Sequence, residues 1–115
     1  MEAQNLIIDR TLEFSLHLIK FCQTLDEQRK FIVSNQLLRS GTSIGANVFE
    51  AQSAESRNDF IHKMKVASKE AQETLYWLKI CELSENYPYE ETLKIEINFI
   101  LKILSKIIFS SKQNK

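Results

Sequence analysis

The residues that could carry chemistry are few and poorly spaced for it. His17 and His62 are the only histidines, and Cys22 and Cys81 the only cysteines. A carboxylate-bridged di-iron bundle takes a Glu-x-x-His pair from each of two helices and a lone Glu from each of the others. Phe14 stands three residues before His17 and Asp59 three before His62, so Asp59 and His62 offer at most one half-site. A solvated helix face is the plainer account of that pair. Two Cys and two His so far apart make no four-ligand zinc pattern. No Ser/His/Asp or Cys/His order rises above chance, and no Gly-rich phosphate loop is present. The sequence therefore predicts no catalytic residue, no metal set, no cofactor and no enzyme. Both cysteines lie in apolar helical patterns, which reads as reduced, buried thiols in a cytoplasmic protein, with one disulfide as the alternative.

Polar and basic residues offer more. Gln36, Ser40, Ser43, Asn47 and Glu50 recur at helical spacing beside an apolar stripe. If buried, each needs a hydrogen-bond partner or costs about 1–3 kcal/mol. Glu70 and Glu73 are candidate acceptors for Arg39 and Asn47. A network that fixes helix register is the leading reading of this row; a ligand site or an oligomer contact are the others. Arg57, Lys63, Lys65 and Lys69 form one basic cluster, and Lys102, Lys106, Lys112 and Lys115 a second. The first is diluted by Asp59, Glu70 and Glu73. Fifteen basic and fifteen acidic residues cancel over the chain, so composition gives no broad cationic signature for nucleic acid. From charge alone a solvated face is the plainer reading of both clusters; Arg57, Lys63, Lys65, Lys69, Lys102 and Lys106 are the candidate phosphate contacts, and their binding would be strongly salt-dependent.

Long helices must position these groups. Only two glycines and one proline occur in 115 residues, 43% of them hydrophobic and 26% charged, which disfavours a β-sandwich or an α/β domain with its turns and Gly-rich loops. Periodicity predicts one domain over 1–115, all-α, with helices over about 6–25, 28–54, 57–85 and 90–110. Short links make it an antiparallel up-down-up-down four-helix bundle. The first helix carries Ile7, Phe14, Leu18, Phe21 and Leu25 on one stripe and Ile8, Leu12, Leu16 and Ile19 on another. Together they span roughly 220°, against the ~100° that a surface helix needs. In the second, Val33, Leu37, Gly41, Ile44, Val48 and Ala51 keep phase across both glycines, which favours continuity over a break at Ser40-Gly41-Thr42 and predicts close helix approach there. Ser56-Arg57-Asn58-Asp59 is a capping box for the third helix. That helix carries Phe60, Met64, Ala67, Ala71, Leu75 and Leu78 on one face, while Tyr76, Ile80 and Leu83 lie toward another. Pro88 ends this region. The fourth helix has a core stripe of Leu93, Ile97, Ile100, Leu104, Ile107 and Ile108 and a second face of Ile95, Phe99 and Ile103; the chain beyond Ser110 reads as a frayed polar tail. Second apolar faces on several helices predict a homo-oligomer. No apolar run is long enough to span a membrane, and residues 1–5 lack the pattern of a secretory signal.

The run Gln36-Leu37-Leu38-Arg39-Ser40, then Ser43-Ile44-Gly45-Ala46-Asn47 and Glu50, resembles the signature of a bacterial four-helix-bundle family. Its members are the proteins encoded in intervening sequences of 23S ribosomal RNA genes, with the accessory variability proteins of diversity-generating retroelements as relatives. Asp59-Phe60, Ala67, Glu70-Ala71, Glu73-Thr74 and Tyr76-Trp77-Leu78 are similar to the family's third-helix pattern. The resemblance covers about Ser34 to Leu78. It implies an antiparallel bundle assembled as a homopentamer, a non-enzymatic role and structural duties for Arg39, Ser43, Asn47, Glu50, Glu70 and Glu73. The retroelement members are highly basic and bind nucleic acid and a reverse transcriptase; this chain departs from them in its balanced charge, and from the family pattern at Phe49 and Ala51. An RNA- or DNA-associated accessory scaffold is the leading expectation, and a protein-interaction scaffold without nucleic acid is the alternative.

Overall fold

The computed structural model describes residues 2–113. They form four helices, α1 (Glu2–Glu27), α2 (Phe31–Ala51), α3 (Arg57–Leu83) and α4 (Glu91–Gln113), with no strand among the described residues. Helix α2 packs on α1 and α3, α4 packs on α3 and α1, and the diagonal pairs face each other only across the core. Three contacts show that α1 and α2 run antiparallel. Ser34 meets Cys22, Gly41 faces Leu18 and Phe14, and Gly45 faces Thr11. Helices α2 and α3 are joined in the same sense by Ser40 to Thr74 and Glu50 to Lys63, and α3 and α4 by Glu82 to Lys94. The up-down-up-down bundle, about 50 × 20 × 18 Å, is the one the periodicity predicts.

The core is built from those stripes. Phe14, Leu18 and Phe21 of α1, Leu37 and Ile44 of α2, Met64 and Leu78 of α3, and Leu93, Ile97 and Leu104 of α4 are fully buried. Ala67 and Ala71 leave room on α3 for these larger partners. Burying a large aliphatic or aromatic side chain stabilises a fold by roughly 1.5–3 kcal/mol, so these stripes outweigh the helix propensity lost at the two glycines. Both glycines are inside α2, which runs unbroken through them.

The helix ends differ from the sequence reading for identifiable reasons. Helix α1 extends to Glu27 and stops because Arg29 takes a left-handed conformation (φ 63°). The Lys30 N–H then donates to the Leu25 carbonyl at 2.8 Å and Arg29 N–H to Asp26 at 2.9 Å. This is a Schellman stop with arginine where glycine is usual. Helix α2 consequently begins at Phe31, not Gln28. It ends at Ala51, not Ala54, because residues 52–54 tighten into three-residue hydrogen-bonded turns. Helix α3 stops at Leu83, since Ser84 turns extended, Asn86 is left-handed (φ 64°) and Pro88 follows. Helix α4 runs past Ser110 to Gln113, so residues 110–113 are helix and not tail; Lys115 lies outside the described residues. Ile103 is 6% exposed and belongs to the core, not to the outer face assigned to it.

Candidate nucleic-acid interface

Helix α3 starts as expected: the Ser56 hydroxyl accepts the Asp59 N–H at 3.0 Å. The Asp59 carboxylate reaches back one residue further than a standard capping box, accepting from the Glu55 N–H at 3.1 Å. It is therefore engaged with the helix start. His62 is exposed, and no group of three or more metal-binding side chains forms among the described residues.

The six candidate cations do not share one fate. Lys63 is tied down, its Nζ 3.0 Å from Glu50 Oε1, and that hydrogen bond raises the amine above its ordinary value. Arg57, Lys65, Lys69, Lys102 and Lys106 are exposed. Arg57 lines a shallow cleft with Asn58, Ile61, Ser111 and Lys112, across the α3–α4 seam. Lys102 and Lys106 line another with Asn98, Leu101 and Ser105 on α4. Lys65 lies against Lys112, whose ammonium lowers the Lys65 amine from its ordinary value. Sequence reasoning placed Lys112 in the basic cluster but did not foresee this pairing across helices, which depends on the antiparallel register.

Two of the three acids that dilute the α3 cluster in sequence, Glu70 and Glu73, are engaged by Arg39. Arg39 bridges α2 to α3: Nη1 lies 3.4 Å from Glu70 Oε1, and Nη2 pairs with Glu73 Oε2. Gln36 Oε1 accepts from the same guanidinium at 3.2 and 3.3 Å, and Trp77 Nε1 donates to Glu73 Oε2 at 3.0 Å. No Asp or Glu follows Glu96 in the sequence. The later part of α4, with Lys102, Lys106 and Lys112, therefore carries no carboxylate of its own.

The expected register network is only partly as drawn. Arg39 does take Glu70 and Glu73, but Asn47 does not; its Nδ2 donates within α2 to the Ser43 carbonyl at 2.9 Å and Ser43 Oγ at 3.2 Å. Glu50 pairs outward with Lys63. Ser40 alone of the row is fully buried, sharing a 2.9 Å hydrogen bond with Thr74, whose hydroxyl also lies 2.8 Å from the Glu70 carbonyl. Ser34, absent from the predicted row, is buried and donates to the Cys22 carbonyl at 3.2 Å. No buried side-chain polar atom among the described residues lacks a partner. Cys22 and Cys81 are free and buried. Burial raises both thiols, Cys81 to about 11.

Large apolar side chains remain exposed on two flanks. Leu12, Leu16 and Ile19 of α1 and Leu38 and Phe49 of α2 border the α1–α2 seam; Ile95 and Phe99 stand on α4. No helix among the described residues is long and apolar enough to cross a membrane.

Comparisons with known proteins bear on this geometry. A crystal structure of a protein of unknown function from the S23 ribosomal protein family of Bacteroides thetaiotaomicron is 43% identical. The alignment covers 92% of this chain and 97% of that one, with a TM-score of 0.88. No curated protein matches the chain. The sequence profile described as "23S rRNA-intervening sequence protein" matches residues 3–108, taking in all four helices where the motifs reached only α2 and α3. The chain belongs to the family of 23S rRNA-intervening sequence proteins.

Proposed function

We propose that this protein is a non-enzymatic, oligomeric scaffold of the cytoplasm that binds structured nucleic acid through its α3–α4 face. One observation carries the reading: Glu70 and Glu73, the acids interleaved with the α3 lysines, are drawn onto Arg39, leaving Lys65, Lys69, Lys106 and Lys112 facing outward with Arg57 and Lys102. A neutral protein can bind a polyanion when its charges are segregated by face, because binding follows the local potential. Assembly strengthens the effect by repeating the lysine face in each copy. Two apolar flanks on different sides of the bundle, Leu12, Leu16, Ile19, Leu38 and Phe49 on one and Ile95 and Phe99 on the other, favour head-to-tail pairing. Such pairing closes into a ring when the rotation permits. A pentamer is the ring that the family resemblance implies.

The test combines light-scattering mass with binding of a labelled structured RNA at about 50 and 200 mM salt. Six phosphate contacts should lose affinity on the order of a thousandfold over that range. Lys65→Gln with Lys69→Gln should weaken binding more than Lys63→Gln does, because Lys63 is already engaged by Glu50. An oligomer that ignores RNA at both salts would favour a scaffold for protein partners, which the balanced net charge also fits. A stable monomer would refute the role given to the apolar flanks.

A further inference from the structure

Three of the four helix–helix seams are closed by a connecting segment; the seam between α1 and α4 is not, and its contact is the least extensive of the four. Two polar ties cross it. The Arg10 guanidinium sits over the Phe99 ring, 4.9 Å from its centroid. His17 stands between two carboxylates, with Nδ1 3.0 Å from Glu96 Oε1 and Nε2 2.6 Å from Glu90 Oε2.

A neutral imidazole carries one N–H and one bare lone pair. It can donate to Glu96 or to Glu90, and its other nitrogen then sets a lone pair against a carboxylate oxygen. Only the imidazolium satisfies both contacts. The other charges around it do not replace either partner. On α1, Glu13 and Lys20 lie one turn to each side, and Arg10 is held on Phe99. Beyond Glu90, the Glu91 carboxylate accepts the Tyr89 hydroxyl, and Lys94 turns to Glu82 of α3. Helix α2 meets the opposite flank of α1, through Thr11, Leu18 and Cys22, and α3 does not pack on α1.

We infer that His17 is a proton-operated latch on this seam: protonated, it ties α1 to the start of α4; on losing its proton it releases one carboxylate and loosens the seam. Partial burial pulls the ring's affinity for its proton down, but the hydrogen bonds and charges of Glu96 and Glu90 outweigh that and raise its pKa above the ordinary 6.5. The sign follows from linkage. A group whose folded pKa is raised contributes stability that is complete below its unfolded pKa and lost as pH climbs through the folded one. Stability from this latch is thus complete below the ordinary value of 6.5 and fades as pH climbs through the raised folded one. Glu96 also lines a cleft of about 240 Å³ with Arg10, Glu13, Ile95, Phe99 and Ile100. Opening the latch removes the imidazolium charge that faces Glu96 and so changes the electrostatics at that cleft.

The experiment compares the full chain with His17→Gln by thermal melting between about pH 6 and pH 8.5, the range over which histidine latches operate. Amide exchange in the first turns of α4, corrected for intrinsic rates, is followed in parallel. The expected result is a melting midpoint that falls by a few degrees more in the wild type than in the variant, with faster exchange in α4 at high pH only in the wild type. Parallel pH profiles for the two proteins would overturn the proposal. Should His17→Gln fail to fold, an NMR titration of the His17 ring in the wild-type chain decides the matter. A midpoint above 6.5 supports the latch, and one at or below it refutes it.

Discussion

Replacing Gly41 and Gly45 by alanine should shift stability in opposite directions, although the two glycines are one turn apart on the same helix. Each substitution recovers the roughly 0.8–1.0 kcal/mol by which alanine outperforms glycine in a helix interior. At Gly45 the new methyl would lie 3.4 Å from Thr11 Cβ and Oγ1 and 3.6 Å from the Thr11 carbonyl, ordinary van der Waals distances. Gly45→Ala should therefore be neutral or stabilising by up to about 1 kcal/mol. At Gly41 the methyl would overlap Leu18 Cδ2, with Phe14 Cε2 only 3.6 Å away and both side chains buried. Displacing a packed leucine costs about 1–3 kcal/mol, so Gly41→Ala should lose up to about 2 kcal/mol net.

A double-mutant cycle isolates the cause. Leu18→Ala by itself should cost about 2–5 kcal/mol. In that background Gly41→Ala should become favourable, because the atom it struck is gone, giving a coupling of about 1–3 kcal/mol. Urea melts followed by circular dichroism at fixed protein concentration would measure all four corners, since an assembling protein melts in a concentration-dependent way. Equal stabilisation by both alanines, or no coupling to Leu18, would refute the close-approach account of Gly41.

Other expectations follow from single contacts. Ser56→Ala removes the hydroxyl that caps α3 and should cost about 0.5–2 kcal/mol in the same melts. Arg39→Ala should cost under about 1 kcal/mol of stability, since the guanidinium is half exposed. It should nonetheless weaken RNA binding by returning Glu70 and Glu73 to the lysine face, and filter binding at low salt would show it. Cys22 and Cys81 should resist a thiol reagent near pH 8 until the protein unfolds, because burial raises both thiols; labelling with and without denaturant checks this. Gly45→Leu, a larger intrusion toward Thr11, should cost at least about 1–3 kcal/mol and lower the melting midpoint.

Helix number, order and core stripes were legible because burial in a bundle imposes a 3.6-residue period that sequence displays directly. Leu37, Ile44 and Val48 keep that period across two glycines, and the helix is continuous there. Chain direction at the turns was less visible. The stop after α1 depends on Arg29 in a left-handed conformation, and arginine carries no signal for it. The Asp59 side chain was identified as a capping group, but its partner was Glu55 and not Ser56. Side-chain partners within the polar row were the least predictable part. Arg39 reaches two carboxylates because its long side chain spans the α2–α3 seam, as its charge suggested. Asn47 is too short to follow and turns back onto Ser43. The burial of Ser34 and Thr74 carried no sequence signal, because serine and threonine bury readily once a backbone carbonyl or a neighbouring hydroxyl accepts them. The approach of Lys65 to Lys112 could not be read along the chain, since it depends on how α3 and α4 are paired.

The positions of Gln4 and Ser111 carry a consequence for rearranging the chain. Both line one cleft with Ala51, Gln52, Ala54, Ser56, Arg57 and Phe60, so the outer ends of α1 and α4 share an end of the bundle with the α2–α3 link. The opposite end holds the other two links, where the Lys30 ammonium rests 4.7 Å from the centroid of the Tyr87 ring. A short flexible peptide could join α4 to α1, and the chain could be recut between α2 and α3 without moving a helix axis. Such a circular permutant would hold the α1–α4 seam by covalent linkage in place of side-chain ties. It would also leave its new ends where the old ones were, so that a fused domain would project from the same end of the molecule in either chain order.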